Sequence, residues 1–351
     1  MKNRFTRLGA IVLASAFLLT GCGQLNPEDK LVTITNNGET DSVSLGYAYF
    51  VARYNQAVMD QYYGTYLSEN MWSEDLYGNG NTMEEDTKND VLDQLKEEYL
   101  CMQHADEYGV QVSDAEVSNI DELAKSFMSE NTKKSLEEIG ATEEYAKTMM
   151  LNQTYAARVK EQVEAEAEGK VTVTDEDANQ STISYVLFST DDVTNEEGDI
   201  VPLTEEEIAG LKEQAEKLSA SGDFDAIKND EDTDLRVQTY SYTTAKAAAD
   251  DDVLGEAVIS AAKELKEGEV SSVIEVKDEG YYVIRKDAEL DESATASKRD
   301  NVKNEKIEEY YNDKIDEWGS AITWTVDENM WKKVEFTDRF VAVAGASSAN
   351  E

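Results

Sequence analysis

The feature that most constrains this chain is a change of hydrophobic period along its length. From Ser42 to about Gly169, apolar residues recur every three to four positions, with almost no alternating stretch. That spacing places side chains on one face of a helix. Tyr47, Val51, Tyr54, Val58, Tyr62 and Tyr66 form one such stripe, with Phe50, Met59, Met71 and Trp72 close by. From about Ser181 to Ala288 strand-like and helix-like runs alternate, and from Ser297 to Trp318 the helical period returns. This order predicts an α+β protein, a helical module into which a mixed unit is inserted. With two prolines in 351 residues, little breaks the helices.

Local signals sharpen the pattern. A helix over roughly Met83 to Tyr108 stops at Gly109, a residue suited to the left-handed helix end. Ser113-Asp114-Ala115-Glu116 reads as a capping box opening the next helix. Gly140-Ala141-Thr142 opens another, which runs into the charged stretch Glu161 to Glu168, a domain boundary. In the middle, Ile183 to Phe188 reads as a buried strand and Thr204 as a helix cap. Leu235 to Tyr242 alternates as a strand, Val253 to Leu265 is helical, and Asp278-Glu279-Gly280 turns between two final strands. Ile322 to Phe336 is strand-like or irregular.

Lys2, Arg4 and Arg7 precede an apolar run, Leu8 to Leu18, that is too short to span a bilayer. It ends in Leu19-Thr20-Gly21-Cys22, the form of a bacterial lipobox. A signal peptide over 1–21 is therefore expected, with the Cys22 thiol carrying diacylglycerol and residues 22–41 as a tether. The chain would then sit lipid-anchored on the extracytoplasmic face of the cell membrane. A net charge of −43 with one histidine argues against nucleic-acid binding, because few bases are available to displace counterions.

No metal or cofactor is expected. Cys101 and His104 are three apart on a helix, but two ligands cannot close a tetrahedral site. Asp230, Asp232 and Asp234 alternate like a calcium loop, yet Leu235 stands where its glycine belongs and Ser241 where its glutamate belongs. With Cys22 lipidated, Cys101 has no disulfide partner.

Val91-Leu92-Asp93-Gln94-Leu95 through Ala105, Gly109, Val110, Val112, Ser113 and Glu116 resembles the N-terminal helical region of PrsA- and SurA-type foldases. The segments Leu218-Ser219-Ala220-Ser221-Gly222-Asp223-Phe224, Leu265-Lys266-Glu267-Gly268-Glu269-Val270-Ser271 and Gly280-Tyr281-Tyr282-Val283-Ile284-Arg285 resemble a parvulin-type peptidyl-prolyl isomerase. With the lipobox, the chain is similar to the PrsA-like foldase lipoproteins. The resemblance implies a helical chaperone region over 42–177 and a parvulin-like domain over 178–290, an antiparallel sheet flanked by helices. Residues 291–340 would complete the helical module, and 341–351 would form a disordered tail.

The resemblance also implies a site, and the chain departs from it. The family's two usual histidines fall on Tyr185 and Tyr282, a usual Met or Leu on Leu254, and a usual Phe on Val258. Gln238 to Tyr242 stands in place of the expected Gly-Asp-Leu-Gly, and an acidic or cysteine position maps near Asp232 or Asp234. Two phenols can stand in for the histidine network as donors and acceptors, but Val258 offers a shallower wall than a phenylalanine, so a retained fold without catalysis is the expected outcome. The partners implied are unfolded or newly secreted proteins, together with the membrane and a second copy in a homodimer. The spacing of Tyr47, Tyr54, Tyr62 and Tyr66 favours a stripe packed against the other helices, the alternative being aromatic surface presented to clients from an open cradle. A solute-binding lipoprotein would instead need strand–helix alternation in two lobes, and a scaffolding lipoprotein would need neither.

Overall fold

The computed structural model describes residues 26–63, 66, 68, 70–194, 198–229, 234–336 and 340. Cys22 with its signal peptide, Asp230, Asp232 and the 341–351 tail lie outside them. The chain divides into two compact units, one of residues 1–167 and 309–351, the other of 168–308. The mixed unit is thus inserted in sequence within the helical one.

The first unit opens with β1 (Lys30–Asn36) and β2 (Glu39–Ser44), then α1 (Leu45–Tyr63), α2 (Met83–His104), α3 (Asp114–Glu130), α4 (Lys133–Glu138) and α5 (Glu143–Glu168). This corrects the tether over 22–41. Residues 30–36 and 39–44 are strands, with Leu31, Val32 and Ile34 buried in the core. Asn37 and Gly38 take φ of +49° and +84°, and Asn36 pairs with Glu39 across them. That two-residue turn matches the right-handed twist of its strands. Thr82 and Ser113 cap α2 and α3, each closing a reciprocal box with Glu85 and Glu116.

The second unit runs through α6 (Asp175–Ala178), β3 (Gln180–Ser189), β4 (Val193–Thr194), β5 (Ile200–Val201), α7 (Glu205–Ser221), α8 (Phe224–Lys228), β6 (Gln238–Thr243), α9 (Gly255–Glu264), β7 (Ile274–Val276) and β8 (Gly280–Ala288). Its main sheet has the order β6-β3-β8-β7, every ladder antiparallel. The unit extends beyond 178–290 at both ends, because Asp175 and Asp177 pair with Arg299 and Lys306, each at 2.8 Å.

Helix α10 (Glu292–Ser320) leads back to the first unit, where β9 (Ile322–Val326) pairs antiparallel with β1 and α11 (Glu328–Trp331) follows. The strand order there is β2-β1-β9. The core beneath this sheet gathers Leu31, Ile34, Phe50, Val51, Val91 and Val334. A second cluster in the same unit packs Leu100, Cys101, Val159, Val163, Tyr311 and Trp318. All ladders among the described residues are antiparallel. The two-lobed alternation of a solute-binding protein is not seen among them.

Candidate functional site

In the inserted unit the strand period of two sorts side chains onto opposite faces. Val186, Phe188, Tyr281 and Val283 pack with Ala215 and Leu218 of α7. Ile183, Tyr242, Tyr282 and Ile284 pack on the other face with Leu254, Val258, Ile259 and Ala262 at α9, and Tyr185, Leu187 and Tyr240 join them half-buried. The four family-equivalent positions are therefore brought into one cluster. The Tyr185 and Tyr282 rings lie 6.0 Å apart at 36°.

The two hydroxyls bond to separate partners. Tyr185 donates to Gln238 Oε1 at 2.9 Å, and Tyr282 to Glu279 Oε2 at 2.6 Å. Burial raises the Tyr185 phenol above its usual range, and burial together with Glu279 raises Tyr282. Both therefore stay protonated donors at neutral pH. Tyr240 donates to Asp251 at 2.7 Å, and Asp251 also accepts from the Leu254 N–H at 2.8 Å. Burial pushes the Asp251 carboxyl up, but these bonds and those from Val253 and Gly255 outweigh it and hold it low. The carboxylate thus anchors the start of α9 beside the tyrosines.

Val258 and Leu254 do not form the wall that the family pattern suggests. They are 0% and 5% exposed, closed beneath the sheet. Lys286, also buried, donates to the Tyr242 hydroxyl and lies 4.9 Å from its ring centre. Nothing in the sequence pattern marked this pair, because a lysine on a strand ordinarily reads as a solvent-facing residue.

In the first unit the tyrosine stripe is not one surface. Tyr47 is buried against Tyr145, and Tyr54 packs against Phe50 and Phe127. These two serve the core, so their assignment to client binding is corrected. Tyr62 and Tyr66 are 71% and 85% exposed, and Tyr63, Leu76 and Tyr77 are exposed as well. The second half of α1 buries polar residues instead. Arg53, Gln56 and Asp60, spaced three and four apart, face inward. A heptad-like reading that counts only apolar residues misses them.

No group of His, Cys, Asp or Glu among the described residues is arranged to hold a metal ion. His104 stacks on Trp318, with centroids 4.3 Å apart. Among the described residues no helix is long and apolar enough to cross a membrane.

Comparison with known proteins bears on this site. Residues 187–296 match the family model described as the PPIC-type PPIASE domain, which takes in Leu254, Val258 and Tyr282 and begins just past Tyr185. Among solved structures, the chain is similar to foldase protein PrsA from Streptococcus pneumoniae, at 18% identity and a TM-score of 0.30, covering 73% of this chain and 96% of that one. It is similar to PrsA from Bacillus cereus at 18% identity and a TM-score of 0.30, covering 75% and 97%. A SurA-like chaperone of Campylobacter jejuni shares 14% identity at a TM-score of 0.27, covering 85% and 99%. No curated protein matches the chain.

Proposed function

We propose that the chain is a PrsA-like extracytoplasmic foldase that holds unfolded secreted proteins and whose PPIC-type domain, matched over residues 187–296, no longer catalyses. The observation that carries the second half is the closed tyrosine cluster. Rotation about an X-Pro bond faces a barrier of about 18–20 kcal/mol. A catalyst must seat the proline ring on apolar surface and favour the twisted amide. Here Leu254 and Val258 offer almost no surface, and the Tyr185 and Tyr282 hydroxyls are committed to Gln238 and Glu279. The lipid anchor at Cys22 and a homodimer belong to the same reading, and rest on the sequence resemblance alone.

The test uses the chain from residue 23 onward. It should leave a proline-limited refolding phase within twofold of its unaided rate at a stoichiometric ratio. It should also suppress aggregation of a reduced, unfolded client. Strong acceleration of refolding would overturn the loss of catalysis; failure to suppress aggregation would overturn the chaperone role. In cells, Cys22→Ser should move the protein from the membrane fraction to the soluble one.

A further inference from the structure

We propose that the first unit contains a binding groove for extended polypeptide, between α1 and α2, and that the chain's own C-terminal segment occupies it. The inference rests on the chaperone reading only for the identity of the visitor, an unfolded polypeptide.

Past α11 the described residues make no strand pairing, and four of their backbone groups are met by side chains. Lys88 donates to the Val334 carbonyl at 2.6 Å, and Arg53 to the Glu335 carbonyl at 3.2 Å. The Phe336 N–H donates to Glu84 at 3.0 Å, and the Phe340 N–H to Asp60 at 2.8 Å. Asp60 is itself fixed by the Trp72 indole N–H at 3.0 Å. Val334 and Phe336, two residues apart, are buried, and Phe336 meets Trp72 edge-on at 4.9 Å. Arg53 also lies over the Phe340 ring, 4.9 Å from its centre.

Main-chain atoms are common to every polypeptide, so two cations reading carbonyls and two carboxylates reading N–H groups recognise extended backbone without reading sequence. Selectivity is left to the Val334 and Phe336 positions, which call for large apolar side chains two apart. The segment from Trp331 to Phe340 carries three bases, Lys332, Lys333 and Arg339, against two acids, inside a chain of net charge −43. A visitor that is apolar with basic flanks fits the same field.

The experiment follows hydrogen exchange of the full chain with and without a synthetic peptide of residues 332–340, and measures aggregation suppression in parallel. The labelled peptide should bind, and saturating peptide should speed exchange of the Phe336 amide at least tenfold while the β1 and β9 amides keep their protection. A peptide with serine at the Val334 and Phe336 positions should do neither. A full-length Phe336→Ser variant, which loosens the tail without deleting it, should bind the unmodified peptide at least tenfold more tightly. The inference fails if the peptide does not bind the folded Phe336→Ser variant, or if it binds the unmodified chain without speeding exchange of the Phe336 amide. Aggregation suppression that persists under either failure leaves the chaperone reading standing; loss of suppression with peptide exchange intact sinks that reading alone.

Discussion

Gly280 is the residue on which the inserted sheet depends most directly. It opens β8 at φ +132°, and a Cβ built there would lie 2.2 Å from the Phe188 carbonyl oxygen and 3.0 Å from the Thr190 nitrogen. Both atoms are backbone, held by the β3–β8 ladder and by the Thr190 N–H bond to Glu279. Gly268 supplies the comparison, because it takes φ +81° but a Cβ there meets nothing within 4 Å. Gly268→Ala therefore carries the conformational cost alone, about 1 kcal/mol. Gly280→Ala adds backbone overpacking, about 2–3 kcal/mol more. With a urea slope of ~2 kcal/mol per molar, the two midpoints should fall by about 0.5 M and about 1.5–2 M.

The four tryptophans, Trp72, Trp318, Trp324 and Trp331, all lie in the first unit. Tryptophan fluorescence therefore follows that unit while far-ultraviolet circular dichroism follows both. The shift should appear in the circular dichroism component that tryptophan does not share. Equal losses for the two variants, or a Gly280→Ala midpoint within 0.5 M of the parent, would refute the steric reasoning.

Glu98, buried in α2, is raised first by burial, with bonds from Gln94 and Asn152 opposing and Glu97 assisting; its Oε2 has no partner among the described residues. A carboxyl raised in the fold lends stability below the ordinary carboxylate pKa and loses it as pH climbs through the raised value. Glu98→Gln should accordingly raise Tm by about 2–4 °C at pH 7 and do little at pH 4; calorimetry at the two pH values checks this, and equal gains would count against it. Tyr62→Ser with Tyr66→Ser should leave the melting temperature within 1–2 °C, since both side chains are exposed. Tyr47→Ala should cost about 3–5 kcal/mol in denaturant unfolding. Burial pushes the Cys101 thiol to about 11, so maleimide at pH 8 should label it only after denaturation; native labelling within minutes would show the site open.

Much of the architecture was legible in residue spacing. The capping pairs Ser113–Glu116 and Thr204–Glu207 announce their helices because a short oxygen and a returning carboxylate satisfy backbone N–H groups locally. Strands β3 and β8 announce themselves as apolar runs. The opening hairpin escaped although Asn37-Gly38 is a strong turn signal, because β2 is polar and finds its place only beside β1, whose other neighbour is remote β9. Tyr47 and Tyr62 look alike in a periodic stripe; only α3 and α5 packing against the first part of α1 separates core from surface. The inward set of Arg53, Gln56 and Asp60 was illegible for the same reason, since its partners lie at residues 72 and 335–340.

The pairing of β1 with β9 sets an order of events for a chain delivered amino end first. Strand 30–36 is among the earliest residues to emerge, and its neighbour at 322–326 is among the last. The inserted unit, closed by residue 308, has all its strands long before its host has its third. Until then one edge of β1 stays open, and any stall in delivery leaves that edge available to wrong neighbours. Under the proposed role, a protein meant to shelter emerging chains would itself be most exposed during its own emergence.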